Sequence, residues 1–362
     1  MMMARDDNDM FLDFGDEVTA NTANVGDGRD NNGYLQLPNH QFADNENYVN
    51  GIRVGIYSPA EVSSARGRLK EMFKEAARAE IAAMVETGTL LPLQSLEGLA
   101  GCEILPSRLV WSVKRSGVAS STSIRGKLRW TVAGCYQRAD ARNLSTSNVD
   151  ATVLRVLLSL AAHRRYSIGL ADVTTAFLLA SLDTRDGILV VRVPQVLTSM
   201  GLLDPSVRFF RIAKAMYGLR SSPASWARLR DAQLRTLTTP SGMYVMQHET
   251  EESVWRCYGA DHQQIGWLVT YVDDIMVLMA EEQVKEMLGT LGTTWALGST
   301  SMTTPTTRTP VAFLSQELCY DEAGNLNITQ SRYVRELLAT YNLTDCRPVG
   351  TPPRRRPHPH CR

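Results

Sequence analysis

Several absences narrow the field before any motif is read. The six cysteines, Cys102, Cys135, Cys257, Cys319, Cys346 and Cys361, include no CxxC spacing. That argues against a disulfide scaffold and for a reducing compartment. No apolar run is long enough to span a bilayer, because the longest, Trp267 to Ala280, is interrupted by Asp273 and Asp274. The opening MMMARDDNDM carries acids where a secretion signal needs a basic start and a long apolar stretch. A soluble intracellular protein, not secreted and with no membrane partner, is therefore expected. Net charge is missing as well, with 38 Lys and Arg against 38 Asp and Glu, but the balance is uneven along the chain. Residues 1–61 hold 11 acidic side chains and 3 arginines, which leaves 35 basic against 27 acidic in the remainder. A mildly basic body suits a polyanionic partner without requiring one.

What is present is a chain of 362 residues, 44% hydrophobic, enough for one multi-lobed domain or two average ones. Residues 1–57, rich in Asn, Asp and Gly without an apolar period, read as a flexible acidic arm. Structure is expected to begin at Ser58-Pro59-Ala60-Glu61, where Ser caps a helix, Pro takes its first position and Glu reaches back to the cap amide. Leu69, Met72, Phe73, Ala76, Ala77, Ile81 and Met84 carry that helix toward Gly88, with Gly67 a break point. Strands from Ile104 to Val113 and Lys127 to Val132 flank a Ser/Gly-rich loop. A helix around Val153 to Ala161 leads into a strand, Tyr166 to Val173, that ends on Asp172. Short strands are expected at Ile188 to Val193 and Phe209 to Ile212, and Pro223 opens a helix reaching Leu237. Gly266 to Tyr271 and Ile275 to Met279 are apolar strands around Val-Asp-Asp, the pattern of a tight hairpin with acids at its tip. Beyond it come a helix near Glu281 to Leu291, a Thr-rich loop from Gly298 to Thr309, and strands at 313–320 and 326–328. A helix bearing Val334, Leu337, Leu338 and Tyr341 follows, then a Pro/Arg/His tail that reads as disordered over 353–362.

The acids are the sharpest chemical signal. Extending a nucleic acid requires a hydroxyl to attack a phosphate in line while pyrophosphate leaves. Two Mg²⁺ ions about 3.5–4 Å apart stabilise both oxygens. Hard cations of this kind take carboxylate oxygens, so such a site needs clustered aspartates. Asp172 in Gly-Leu-Ala-Asp-Val-Thr-Thr-Ala-Phe-Leu, and Asp273-Asp274 in Leu-Val-Thr-Tyr-Val-Asp-Asp-Ile-Met-Val-Leu, both set acid among apolar strand residues. Adjacent desolvated acids repel, and a metal is the usual way of holding them. The plainer alternatives are turn residues for Asp273 and Asp274 and a cap after a buried strand for Asp172.

The order of motifs from about Phe73 to Pro352 resembles the reverse transcriptase of copia-type LTR retrotransposons. Lys127-Leu128-Arg129-Trp130-Thr131-Val132-Ala133-Gly134-Cys135-Tyr136-Gln137 is similar to the fingers motif K-A-R-L-V-A-K-G-F-x-Q. Asp172-Val173-Thr174-Thr175-Ala176-Phe177-Leu178 is similar to D-V-K-T-A-F-L, and Tyr217-Gly218-Leu219-Arg220-Ser221-Ser222-Pro223-Ala224-Ser225-Trp226 to Y-G-L-K-Q-A-P-R-A-W. Tyr271-Val272-Asp273-Asp274 matches Y-V-D-D, and Cys346-Arg347-Pro348-Val349-Gly350-Thr351-Pro352 resembles C-K-P-V-x-T-P.

The resemblance implies an α+β right-hand polymerase fold: a palm of antiparallel sheet backed by helices, a fingers lobe, and a short thumb-like C-terminal region. Fingers and palm would occupy about 66–280 and the thumb-like part 281–352. It implies Asp172, Asp273 and Asp274 as metal-binding catalytic residues, with Mg²⁺, or Mn²⁺, as cofactor. Lys127, Arg129, Thr175, Ala176, Phe177 and Ser221 would bind the nucleotide, with Phe177 under the sugar and Tyr271 supporting the acids. The partners implied are an RNA or DNA template with primer and deoxynucleoside triphosphates, in a cytoplasmic particle or the nucleus. Ribonuclease H and integrase modules of the same polyprotein would lie outside this chain. Five positions depart from the pattern: Thr174 for Lys, Leu179-Ala180 for Asn-Gly, Ser221 for Gln, and Ser315 for the Gly of the later F-L-G motif that Phe313-Leu314 resembles. Two other readings stay open on the residues, a decayed copy that keeps the fold without the chemistry and a nucleic-acid-binding module.

Overall fold

Strands begin earlier than composition suggests. The computed structural model describes residues 48–115, 123–138, 144, 146–341 and 343–347. In it Tyr48–Val49 (β1) pairs with Ile52–Arg53 (β2), and Gly55–Tyr57 (β3) joins a larger sheet. Residues 48–57 are thus structured, not part of a flexible arm. Their isolated apolar residues suffice because Val49, Ile52 and Tyr57 are all buried, and Tyr57 stands edge-on to Phe73 with centroids 5.1 Å apart. The rest of the expected arm and the tail 353–362 lie outside the described residues.

The capping box forms as the sequence signals. The Ser58 amide donates to Glu61 Oε2 at 2.7 Å, the Glu61 amide to Ser58 Oγ at 3.3 Å, and Pro59–Ser64 forms α1. The chain then breaks at Ala65-Arg66 and restarts as α2 (Gly67–Glu86), one turn-length before the long amphipathic face begins. Leu90–Leu93 (β4) and Glu103–Leu105 (β5) follow, and Pro106 separates β5 from the hairpin Ser107–Arg115 (β6) and Ile124–Val132 (β7). Next come α3 (Ala151–Arg164), capped by Asp150 accepting from the Thr152 amide at 2.7 Å, then β8 (Ser167–Val173) and the short α4 (Ala176–Leu179). Leu189–Arg192 (β9), Gln195–Ser199 (α5), Phe209–Ile212 (β10) and Ser222–Thr236 (α6) lead to four strands. These are Tyr244–Gln247 (β11), Val254–Tyr258 (β12), Gln264–Tyr271 (β13) and Asp274–Met279 (β14). Glu281–Thr294 (α7), Leu297–Thr303 (β15), Val311–Phe313 (β16), Gln316–Tyr320 (β17), Leu326–Thr329 (β18) and Ser331–Thr340 (α8) close the series.

A six-stranded antiparallel sheet, in the order β11-β12-β13-β14-β8-β15, dominates the fold. Its two faces are both covered. Ala171, Ile275 and Val277 pack with Trp226 and Leu234 of α6 and Val284, Met287 and Leu291 of α7. Ile168, Leu170 and Met276 pack with Leu154 and Leu158 of α3 and with Val311, Phe313, Leu318 and Tyr320 of the three-stranded sheet β16-β17-β18. Burial from both sides explains why β8 and β14 are continuous apolar runs rather than alternating ones. A third core, around Phe73, Trp111 and Trp130, joins α2 to the sheet β3-β6-β7 and to β4-β10-β9-β5, whose β5–β9 pair is the one parallel pairing among the described strands. The fold is therefore α+β with antiparallel sheets backed by helices.

Two expectations change. The Thr-rich stretch from Gly298 is a strand, β15, paired with β8; β-branched Thr suits an exposed edge, and only its last residue, Thr303, is fully buried. β15 is thereby a strand of the main sheet, and α7 packs against that sheet through Val284, Met287 and Leu291. The expected strand at 313–320 is instead β16 and β17 around a two-residue turn, Leu314-Ser315, both at positive φ of 49° and 63°. A turn of that kind favours Gly, which explains the Gly of the family pattern at 315. Among the described residues no helix is long and apolar enough to cross a membrane.

Candidate active site

β8 and β14 are neighbours, and their register sets Asp172 directly across from Asp274. β13 and β14 form the hairpin, with Tyr271 opposite Asp274 and Val272-Asp273 as its two-residue tip. The Val173 amide donates to the Asp273 carbonyl at 3.0 Å, tying the tip to the end of β8. Val272 has φ of +54°, an uncommon conformation for a β-branched residue. Beneath the tip, Trp226 Nε1 donates to the Val272 carbonyl at 2.7 Å and Arg230 Nη1 donates to the same oxygen at 3.3 Å. On the other side of β8, the β15 ladder shifts register at Gly298. A Cβ there would lie 2.7 Å from Asp172 Oδ2 and 2.9 Å from Thr174 Oγ1, so only Gly leaves the Asp172 carboxylate its place.

All three carboxylates are half-buried. Burial, then the charges of Asp273 and Asp172, push the Asp274 carboxyl up to about 6. Burial also raises Asp273; its own backbone amide opposes this, Asp172 adds to it, and Arg129 and Lys127 pull it back down. The acids therefore feel one another, and the two cations of β7 feel the acids.

Those cations stand on a different sheet. β7 buries Ile124, Leu128, Trp130 and Val132 and turns Arg125, Lys127 and Arg129 the other way, with Lys114 of β6 directly across from Arg125. Burial and the like charges of Arg129, Lys114 and Arg125 lower the Lys127 pKa, against the pull of Glu80. The Glu80 carboxylate accepts the Trp130 amide at 3.0 Å and is itself pushed up by burial. Tyr217 bridges the two sides: its ring centroid lies 5.8 Å from the Arg129 guanidinium and 5.6 Å, edge-on, from Phe177. Burial pushes its phenol up to about 12, with Glu80, Asp273 and Asp172 adding to the rise and Arg129 opposing it. Two backbone bonds fasten this segment to the end of β7, Val132 N to Tyr217 O at 2.8 Å and Gly134 N to Gly218 O at 3.2 Å. The chains cross so closely that a Cβ on Gly218 would sit 1.9 Å from the Val132 carbonyl oxygen.

Of the expected site residues, the fold thus gathers Asp172, Asp273, Asp274 and Tyr271, with Arg129, Lys127 and Phe177 linked to them through charge and through Tyr217. Thr175, at φ of +53°, precedes α4, in which Ala176 is buried and Phe177 half-buried. Ser221 makes a different set of contacts. It is fully buried, and its hydroxyl donates to Asp186 Oδ2 at 2.9 Å beside Gln137, whose amide donates to Asp186 Oδ1 at 3.1 Å.

The reverse transcriptase (RNA-dependent DNA polymerase) family matches residues 101–355, most of the chain and all three carboxylates of the site just described. The chain belongs to the reverse transcriptase family. Its relatives are Pol polyproteins of plant copia-type retrotransposons. The retrovirus-related Pol polyprotein from transposon RE1 of Arabidopsis thaliana is 25% identical over 309 residues, covering 83% of this chain and 19% of the relative. That from transposon TNT 1-94 of Nicotiana tabacum is 22% identical over 287 residues, 78% of this chain and 20% of the relative. That from transposon RE2 of Arabidopsis thaliana is 27% identical over 233 residues, 63% and 14%. The chain thus spans a fifth or less of the length of these relatives. Among solved structures, the foamy viral protease-reverse transcriptase dRH in complex with ds DNA is similar at a TM-score of 0.39 and 12% identity, covering 77% of this chain and 41% of that one.

Within this reverse transcriptase domain, sequence reasoning missed Arg230, Glu80 and Gly298 and gave Tyr217 no role. Tyr217 and Gly218 lie in the Tyr-Gly-Leu motif, which is a signal present in the sequence. Arg230 and Glu80 carried none, because their partners lie 42 and 50 residues away in sequence.

Proposed function

We propose that this reverse transcriptase domain is the RNA-directed DNA polymerase of a copia-like retrotransposon, adding deoxynucleotides to a primer by metal-assisted phosphoryl transfer. The observation that carries the reading is the cross-strand pairing of Asp172 with Asp274, with Asp273 at the adjoining tip. Three half-buried carboxylates, of which Asp273 and Asp274 are raised first by burial and then by neighbouring negative charge, form a donor set of hard oxygens that fits Mg²⁺. Among the described residues no three such side chains already close a ligand cage. Mg²⁺ usually keeps water and takes substrate phosphates beside one or two carboxylates. Two ions held there would stabilise the attacking and leaving oxygens.

The remaining roles fall to the chain itself. Asp172, Asp273 and Asp274 hold the charge that the cations neutralise. Arg129 and Lys127 face the triphosphate, Arg129 through a planar fork that matches phosphate oxygens, with the Tyr217 ring beneath it. Phe177, held edge-on by Tyr217, lies under the sugar, and Tyr271 flanks Asp274. Template and primer are gripped through phosphates, with sequence read by base pairing. The test is extension of oligo(dT) on poly(rA) with dTTP and Mg²⁺. Extension lost with chelator and in Asp273→Asn is expected; extension equal in wild type and variant would refute the assignment.

One observation favours a second reading, a copy that keeps the fold without the chemistry. Ser221 stands where the family pattern has Gln and is spent inside the protein on Asp186. Wild-type extension no greater than that of Asp273→Asn would favour it.

A further inference from the structure

The tip peptide of the acidic hairpin is held from below by two donors on one oxygen. Trp226 Nε1 and Arg230 Nη1 both reach the Val272 carbonyl, at 2.7 and 3.3 Å. A trans peptide is planar with its carbonyl and amide pointing in opposite directions. With the Val272 carbonyl aimed at α6, the amide of Asp273 is aimed away from it. Val272 is also strained, at φ of +54° on a β-branched side chain, and such conformations persist only where the surroundings over-determine them.

Packing alone does not account for these residues. Arg230 is 3% exposed, and a guanidinium in that position is costly unless its donors are used. Its Nε and Nη2 go to Asp231 Oδ1 at 2.9 and 2.8 Å, and Nη1 goes to the tip. An apolar side chain would fill the same helix position without that cost. Trp226 does pack, edge-on to Trp295 at 5.8 Å, yet its one polar atom is spent on the same carbonyl.

We infer that Trp226 and Arg230 are positioning residues, whose shared bond to the Val272 carbonyl fixes the tip peptide so that Asp273 and Asp274 stand beside Asp172 as one cation site. This rests on the proposed polymerase reading of those carboxylates. Neither residue touches substrate; each acts through the backbone of the turn.

The test uses the full chain, with Mn²⁺ binding followed by electron paramagnetic resonance and single-nucleotide extension analysed for kcat and KM. Trp226→Phe keeps the ring and removes the donor; Arg230→Met keeps the stem and removes the fork; Arg230→Lys restores one donor. Trp226→Phe and Arg230→Met are each expected to weaken Mn²⁺ binding about tenfold, the worth of one good hydrogen bond, and to lower kcat by a similar factor. KM for dTTP should stay within about twofold, and Arg230→Lys should recover part of the loss. Where Arg230→Met does not fold, Trp226→Phe decides. Folded variants that bind Mn²⁺ and turn over as the wild type does overturn the inference. A wild type that binds Mn²⁺ no better than Asp172→Asn removes the proposed function and this inference together, whereas unaffected variants beside a binding wild type remove the inference alone.

Discussion

On the six-stranded sheet, β8 and β14 are covered on both faces, and the polar groups at their meeting ends are carboxylates. On the sheet β3-β6-β7, one face of β7 is packed with Leu128 and Trp130 and the other carries Arg125, Lys127 and Arg129. The acids are thus set in a doubly buried frame, where desolvation and mutual repulsion raise Asp273 and Asp274. The cations stand on the other face of β7, where Arg125 and Arg129 are exposed while Lys127 is half-buried and lowered by burial and by its like-charged neighbours. A site built this way has an acidic half held between two packed faces and a cationic half that is more exposed. Rigid placement suits groups that must converge on an ion within tenths of an ångström, and a looser stripe suits phosphates that arrive and leave.

The largest effect that sharpens this comparison lies on the cationic side's hidden face. Trp130→Ala empties a fully buried site that stacks edge-on against Phe210 at 5.8 Å. It should cost about 3–5 kcal/mol in denaturant unfolding, though the residue adjoins Arg129. Gly298→Ala comes next. The new methyl would sit 2.7 Å from Asp172 Oδ2, so about 1–3 kcal/mol of strain is expected along with weakened extension. Unchanged stability and activity would mean that β15 yields and the frame is not rigid. Arg129→Ala should leave stability within about 0.5 kcal/mol, since the side chain is exposed. It should raise KM for dTTP about tenfold, an effect that shrinks with added salt. A loss of stability instead would place Arg129 in the frame.

The smallest expected effect is in the pH dependence of the metal-free protein. The folded Asp274 carboxyl titrates at about 6, above its ordinary value of 3.8. Its neutral form is the one folding favours, so its contribution is present below the ordinary value and lost as pH rises through about 6. Melting temperature of wild type relative to Asp274→Asn should therefore fall between about pH 4 and about pH 6 and recover with Mg²⁺ at neutral pH. A difference that is flat with pH would mean the carboxyl is not loaded.

The same contrast decides what could be read from sequence. Doubly buried strands leave long apolar runs, so Asp172, Asp273 and Asp274 stood out against them, and the capping box at Ser58 was legible because its partners are three residues apart. β15 was not, since its Ser and Thr side chains face outward and resemble a loop; nor were β1 to β3, whose buried residues are single and scattered. The bond of Ser221 to Asp186 is carried by no local pattern, because the partner lies 35 residues away. Trp226 was visible as an aromatic, but its partner Val272 is 46 residues on and is a backbone oxygen.

The central claim, that residues 172 and 274 act as one cation site with residue 273, is tested most directly by a double-mutant cycle on Mn²⁺ affinity with Asp172→Asn, Asp274→Asn and the pair. Groups that share an ion are non-additive, so each single variant should lose nearly as much affinity as the double. Losses that simply add, or an Asp172→Asn protein that binds Mn²⁺ as the wild type does, would contradict it.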